Sequence, residues 1–123
     1  MKNIISVLAL TLLVLMMISP ADINAQKPSS KTIITDSLFV RGVCNSCKER
    51  IENAALIKGV KKVSWNKKTQ YLTVIYKPSK ISLNKIEDEV GLAGHDTKDK
   101  KALDKNYNKL PACCAYRSGI APH

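Results

Sequence analysis

The sequence lacks the features that would indicate an enzyme or an RNA-binding sheet. It contains five glycines and no glycine-rich loop of the kind that holds a phosphate group. Ser64, Ser82 and Ser118 have no His–Asp grouping at a spacing that would activate a serine nucleophile. Aromatic residues make up only 5% of the chain, and Tyr71 and Tyr76 are expected on opposite faces of their strand. The paired stacking aromatics of an RNA-binding sheet are therefore missing.

Long apolar runs are scarce as well, which excludes a polytopic membrane protein. The one exception is an uncharged run of 15 residues from Ile4 to Ile18, preceded by Lys2. The run is shorter than the roughly 20 residues that span a bilayer, and Ala25 supplies a small residue where a peptidase would cut. We therefore predict a cleaved signal peptide over residues 1–25 and a periplasmic or secreted protein. An uncleaved membrane anchor is the alternative.

Acidic residues are half as frequent as basic ones, 10 against 20, so the formal net charge is +10. A chain of 123 residues is expected to form one domain, which excludes a large enzyme with a separate cofactor domain. A basic exported domain could meet anionic lipid, an acidic protein face or nucleic acid. Because an exported protein rarely meets nucleic acid, nucleic acid is the least suitable of these partners, and we expect no nucleic-acid binding. The lysine pairs at 61–62 and 67–68 are predicted to be solvated and able to steer docking onto an acidic partner.

The order of the predicted elements indicates an α+β fold. β-branched and alternating apolar residues predict strands, and apolar residues at helical spacing predict two amphipathic helices. The strands are expected at 32–40, 60–66, 71–76 and 93–97, and the helices from Cys47 to Gly59 and from Leu83 to Gly91. The order strand, helix, strand, strand, helix, strand predicts a ferredoxin-like βαββαβ sandwich, with one sheet face covered by both helices. Residues 26–31 are expected to be a flexible N-terminus, 32–98 the domain, and 99–123 a C-terminal extension.

The motif Cys44-Asn45-Ser46-Cys47 carries the clearest chemical signal. It lies where a loop is predicted to enter a helix, with Asn45 or Ser46 as the expected N-cap. The free N–H groups and partial positive charge of a helix N-terminus lower a thiol pKa, and thiolate is the form that binds metal. We expect the pair to be ionised and open to solvent. A CxxC pair alone fits a redox dithiol, half of a zinc site or a soft-metal site.

The residues around the motif favour a soft metal ion. Zinc usually takes four ligands. A thioredoxin-like site would carry an aromatic residue before the motif and a proline inside it, whereas Val43 precedes Cys44 here. Cu(I) prefers thiolates and is satisfied by few of them. An exported dithiol–disulfide oxidoreductase is the alternative from a different class.

The sequence resembles the heavy-metal-associated domain family, in its copper-chaperone and mercury-binding forms. The matching residues are Val40 to Ile51, Gly59-Val60, Leu72 to Tyr76 and Ala93 to Asp96. The resemblance implies the βαββαβ fold, with Cys44 and Cys47 as ligands that pass the ion to a partner by ligand exchange. It implies Cu(I) as the first choice of cargo, with Hg(II), Zn(II) or Ag(I) as alternatives, and no enzymatic activity. The partner would be a protein with its own CxxC or a membrane metal-transporting ATPase, and the chain would be a monomer.

Three further residues are candidate ligands. His95 follows Gly94 in a loop that the resemblance places beside the CxxC, where an imidazole could ligate the ion or tune the thiolates. A surface histidine is the alternative. Cys113 and Cys114 could add ligands, form a disulfide with each other or with the CxxC, or act as a resolving pair.

Overall fold

The structure, a computed structural model, describes residues 29–123, so the predicted signal peptide lies outside the described residues. Three antiparallel strands form one sheet in the order β1-β3-β2, and helices α1 and α2 contribute buried residues to the same core. A short helix α3 and two 3-10 turns follow. The bounds are β1 Ile34–Phe39, α1 Asn45–Ala55, β2 Val60–Asn66, β3 Tyr71–Tyr76, α2 Leu83–Leu92, α3 Asp104–Tyr107, and turns at Ala112–Cys114 and Tyr116–Ser118.

Strand β3 is the centre of the sheet and shows the alternation that the sequence predicts. Leu72, Val74 and Tyr76 are buried, whereas Tyr71 and Thr73 are exposed. Leu72 faces a buried residue of β1 on one side and of β2 on the other. Because side chains alternate across a strand, one face of the sheet supplies the core and the other faces solvent. The bounds predicted for β2 and β3 are confirmed.

The predicted last strand is reduced to a single antiparallel bridge between Val40 and Thr97. The Arg41 N–H donates to the carbonyl of Asp96 at 2.8 Å, which places this segment beside β1. The chain then turns at once, because the Thr97 N–H donates to the carbonyl of Lys100 at 2.8 Å. The hydrogen-bonded pairing between this segment and the end of β1 therefore cannot continue beyond the one bridge. The fold is the predicted ferredoxin-like α+β sandwich with its fourth strand shortened to one pair.

Helix α2 begins as predicted but ends later. The Ser82 hydroxyl accepts a hydrogen bond from the Lys85 N–H at 3.2 Å, which confirms the predicted N-cap. The helix continues through Gly91 to Leu92. Gly94, with a φ of +95°, adopts the left-handed conformation that redirects the chain, so the predicted end at Gly91 is wrong.

Residues 99–123, the C-terminal segment, pack back onto the domain. Ala102, Cys114 and Tyr116 are each at most 4% exposed, whereas most of the other residues between 99 and 108 are exposed. The Tyr116 hydroxyl donates to the carbonyl of Gly94 at 2.8 Å and accepts from the N–H of Asp96 at 2.9 Å. The segment is thus part of the core. Among the described residues, no helix has the length and apolar character to cross a bilayer.

Candidate metal centre

Three cysteines converge at the N-terminus of α1, and we name Cys44, Cys47 and Cys114 the thiol cluster. The Cys44 Sγ lies 3.3 Å from the Sγ of Cys47 and 3.4 Å from the Sγ of Cys114. All three sulfurs lie within 4.8 Å of one another. Cys44 and Cys47 come from the loop-to-helix junction, and Cys114 comes from the 3-10 turn of the C-terminal segment. The fold therefore brings a third thiol to the CxxC motif.

The thiol of Cys44 is itself the N-cap of α1. Its backbone is extended, and its Sγ accepts a hydrogen bond from the Cys47 N–H at 3.4 Å. The predicted caps, Asn45 and Ser46, are instead the first two residues of the helix. Sulfur is a weak acceptor, yet here it meets one of the N–H groups that the first helical turn leaves free. The sequence pattern missed this role because cysteine is not a usual cap residue.

The three thiols differ in acidity. Burial raises the pKa of Cys44, but hydrogen bonds from the Cys47 N–H and from neighbouring thiols outweigh it and lower the pKa to about 7. Burial raises the pKa of Cys47. Burial together with the adjacent Cys47 and Cys44 sulfurs holds the pKa of Cys114 far above its usual range. The predicted effect of the helix N-terminus is therefore found for Cys44 and not for Cys47.

The cluster is buried, so the prediction of an open CxxC pair is wrong. Cys44 is 5% exposed and Cys47 and Cys114 are 0% exposed. The C-terminal segment covers the loop: the His123 N–H donates to the carbonyl of Val43 at 2.7 Å. All four cysteines of the chain are free. The Cys44 Sγ lies 3.3 and 3.4 Å from the other two sulfurs of the cluster, well beyond a disulfide bond of about 2.05 Å, so neither of these pairs is bridged.

Gly42 and Trp65 pack closely together beside the CxxC motif. A Cβ at Gly42 would lie 2.9 Å from the Trp65 ring and 3.1 Å from the Cβ of Cys47, so this close approach requires glycine. Trp65 is 2% exposed, and its Nε1–H donates to the carbonyl of Val40 at 3.0 Å. The indole therefore fixes the chain on the N-terminal side of the motif.

His95 is buried but does not belong to the thiol cluster. It is 0% exposed, so the surface-histidine alternative is wrong. Its Nδ1 lies 2.8 Å from the carbonyl oxygen of Arg41, which can only accept, so Nδ1 carries the proton. Its Nε2 is buried and has no hydrogen-bond partner among the described residues. Burial lowers the pKa of His95 to about 4, and the ring stacks on Tyr116 at 5.5 Å.

The two C-terminal cysteines lie in different environments. Cys114 is in the thiol cluster, whereas Cys113 is exposed and outside it.

The residues that hold the C-terminal segment, Arg117 and Asp96, were not identified from the sequence. The Arg117 guanidinium also lies over the Tyr107 ring, 4.3 Å from its centroid. The sequence does show an arginine, Arg117, next to Tyr116. Its partner Asp96 lies 21 residues earlier in the chain, so no local pattern pairs the two.

Comparisons with known proteins identify relatives of the domain that contains Cys44 and Cys47. Residues 37–96 match the model of the heavy-metal-associated domain family. The structure is similar to the "CopZ metallochaperone", with 29% identity and a TM-score of 0.50 over 52% of this chain and 98% of that one. It is similar to oxidized MerP from Ralstonia metallidurans CH34, with 26% identity and a TM-score of 0.51 over 55% of this chain and 96% of that one.

A third similar structure is the N-terminal domain of a potential copper-translocating P-type ATPase from Bacillus subtilis in the Cu(I)-loaded state. It has 26% identity and a TM-score of 0.51, over 55% of this chain and 86% of that one. No curated protein matches the chain. The fold and the thiol cluster define a metal-binding domain. More specifically, residues 37–96 belong to the heavy-metal-associated domain family, and Cys114 lies beyond the matched region.

Proposed function

We propose that the protein is an exported carrier of a soft metal ion, with Cu(I) as cargo, and not an enzyme. Cys44 and Cys47 bind the ion as thiolates, and the ion passes to a partner by ligand exchange. The observation that carries the proposal is the convergence of free sulfurs within 4.8 Å at a helix N-terminus. Export rests on the N-terminal sequence, whose small residue Ala25 follows the apolar run.

The donor set supports Cu(I) over the other ions. The cluster contains only sulfur, and thiolates are ligands that suit Cu(I) and zinc, and not Mg²⁺ or Ca²⁺. A structural zinc site takes four ligands, one more than this cluster supplies among the described residues. The Cu(I)-loaded state named for the ATPase domain adds support, and the similarity to MerP keeps Hg(II) as the alternative cargo.

The acidity of the cluster supports transfer by ligand exchange. Cys44, with a pKa of about 7, supplies thiolate near neutral pH, so an incoming ion meets a ready ligand. A partner with its own CxxC could then replace the thiolates one at a time. The similarity to a metallochaperone and to an ATPase domain supports such a protein, or a membrane metal-transporting ATPase, as partner.

The same low pKa favours one competing function, dithiol–disulfide exchange. A thiol with a pKa near ambient pH attacks disulfides efficiently, and its Cys47 neighbour lies 3.3 Å away. Burial of Cys44 restricts the approach of a substrate disulfide, but it restricts the approach of a partner's thiols as well, so access alone does not separate the two functions. Measuring reduction of a small disulfide by the metal-free protein separates the two functions.

The direct test is an anaerobic titration of the reduced protein with Cu(I) against a chromogenic chelator. Cys44→Ser and Cys47→Ser are each expected to weaken Cu(I) binding by orders of magnitude, and Cys113→Ser is the matched control that leaves it unchanged. Because Cys44 and Cys47 belong to the buried core, circular dichroism must show that each variant is folded. Equal affinity of all four proteins, or efficient metal-independent disulfide exchange, would contradict the proposal.

A further inference from the structure

We infer that Cys114 is a third thiolate ligand, which the C-terminal segment places over the ion so that the site is a closed triangle of sulfurs. The inference rests on the proposed function and adds a ligand from outside the matched domain. The Cys114 Sγ lies 3.4 Å from the Cys44 Sγ, almost the same separation as within the CxxC motif. A residue 70 positions away thus approaches the motif as closely as the motif's own pair.

The spacing of the sulfurs fits three-coordination better than two-coordination. With a metal–sulfur distance of about 2.3 Å as a scale, a linear S–metal–S unit needs sulfurs about 4.6 Å apart, and a trigonal planar unit needs about 4.0 Å. In the structure, Cys44 lies 3.3 and 3.4 Å from the other two sulfurs, and Cys47 and Cys114 lie within 4.8 Å of each other. A triangle therefore requires a smaller expansion of the cluster than a linear pair does.

Anchors on both sides of Cys114 fix its direction. On the N-terminal side, the Cys114 N–H donates to the carbonyl of Pro111 at 2.8 Å and closes the 3-10 turn. On the C-terminal side, the Tyr116 hydroxyl bonds to both Gly94 and Asp96. A thiol held on both sides loses little freedom when it binds an ion, which is the arrangement of a preorganised ligand.

The structure also distinguishes Cys114 from the other candidate donors. Cys113 is exposed, and His95 lies outside the cluster with its Nδ1 bonded to the carbonyl of Arg41. The closed site would contain Cys44, Cys47 and Cys114 alone. Release to a partner would then require Cys114 to leave first, since it covers the pair that a partner must reach.

X-ray absorption of the Cu(I)-loaded full protein counts the sulfurs around the ion. We expect three sulfurs in the unmodified protein, three in Cys113→Ser and two in Cys114→Ser. Two sulfurs in the unmodified protein would overturn the inference, and this count needs no variant to fold. Failure to bind Cu(I) at all would contradict the proposed function instead, so the two failures are distinguishable.

Transfer to a chelator gives a second readout. Cys114→Ser is expected to release Cu(I) at least about tenfold faster than the unmodified protein, because even the loss of a residue that only supports a ligand typically costs tenfold or more, and here a ligand itself is lost. Cys113→Ser is expected to release it at the unmodified rate. Equal release rates for Cys114→Ser and the unmodified protein would contradict a closing role for Cys114.

Discussion

The Arg117 guanidinium binds the Asp96 carboxylate through two hydrogen bonds, Nε to Oδ2 at 3.1 Å and Nη2 to Oδ1 at 2.6 Å. Asp96 directly precedes Thr97, the bridge residue that remains of the fourth strand, and Arg117 lies three residues after Cys114. Two parallel charged hydrogen bonds fix direction as well as distance. This pair therefore couples the end of the domain to the segment that carries the third thiol.

Replacing Arg117 with Gln is expected to lower the free energy of unfolding by about 2 kcal/mol, because a largely buried carboxylate loses its charged partner. Urea denaturation followed by circular dichroism measures the loss. Lys105→Gln removes an exposed positive charge from α3 and is the control, with an expected change below about 0.5 kcal/mol. Equal stability of the Arg117 and Lys105 variants would show that the Arg117–Asp96 pair does not hold the segment.

Gly94→Ala is expected to destabilise the protein by about 1–3 kcal/mol, because Gly94 has a φ of +95° and a Cβ there would lie 2.8 Å from the carbonyl oxygen of Asn106. Gly91→Ala is the matched control. Gly91 lies inside α2, and a Cβ there meets nothing within 4 Å. Alanine at 91 is expected to stabilise the protein by up to about 1 kcal/mol. Thermal unfolding of both variants checks the opposite signs.

The buried His95 predicts loss of stability in mild acid. Its pKa is about 4 in the folded protein against 6.5 as the ordinary value, so the unfolded chain binds the proton more readily. The free energy of unfolding is expected to fall as the pH drops from 6.5 to 4, by at most about 3 kcal/mol. Urea denaturation across this range measures the slope.

His95→Gln is the variant for that measurement, since an amide N–H can still donate to the Arg41 carbonyl. It is expected to flatten the dependence, and the exposed His123→Gln is expected to keep it. Burial raises the pKa of Asp96, but the Arg117 side chain outweighs burial and lowers it. The free energy of unfolding is therefore expected to fall further below pH 4, as Asp96 is protonated. An unchanged slope between pH 6.5 and 4 in His95→Gln would contradict this assignment.

The acidity of Cys44 predicts one thiolate that forms with a midpoint near pH 7 in the reduced, metal-free protein. Ultraviolet absorbance of thiolate across a pH titration detects it. Cys44→Ala is expected to remove this step, because Cys47 and Cys114 have pKa values raised by burial. Persistence of the step in Cys44→Ala would assign the acidic thiol to another cysteine.

The sequence predicted strands β2 and β3 well and contains the CxxC motif directly, because both depend on neighbouring residues. The alternation of β3 appears in six consecutive positions, and the motif spans four. The closed site depends instead on contacts such as Tyr116 with Gly94, 22 residues apart. No local pattern encodes such a contact, so the burial of the cysteines and the separate positions of Cys113 and Cys114 became evident only in the structure.

The capping role of Cys44 illustrates a second limit. Cap preferences favour small oxygen-bearing side chains, so Asn45 and Ser46 were the expected caps. In the structure the helix begins at Asn45, and the Cys44 sulfur takes the N–H of Cys47. Here the geometry that serves the thiolate takes precedence over ordinary helix preference.

Native mass spectrometry of the reduced protein, offered Cu(I) together with competing Zn(II) and Hg(II), tests the central claim most directly. It returns the identity and the number of bound ions at once. A carrier built on the sulfurs of Cys44 and Cys47 is expected to hold one Cu(I) per chain and to lose it in the double variant Cys44→Ser/Cys47→Ser. A metal-free chain, or copper retained equally by the double variant, would contradict the account.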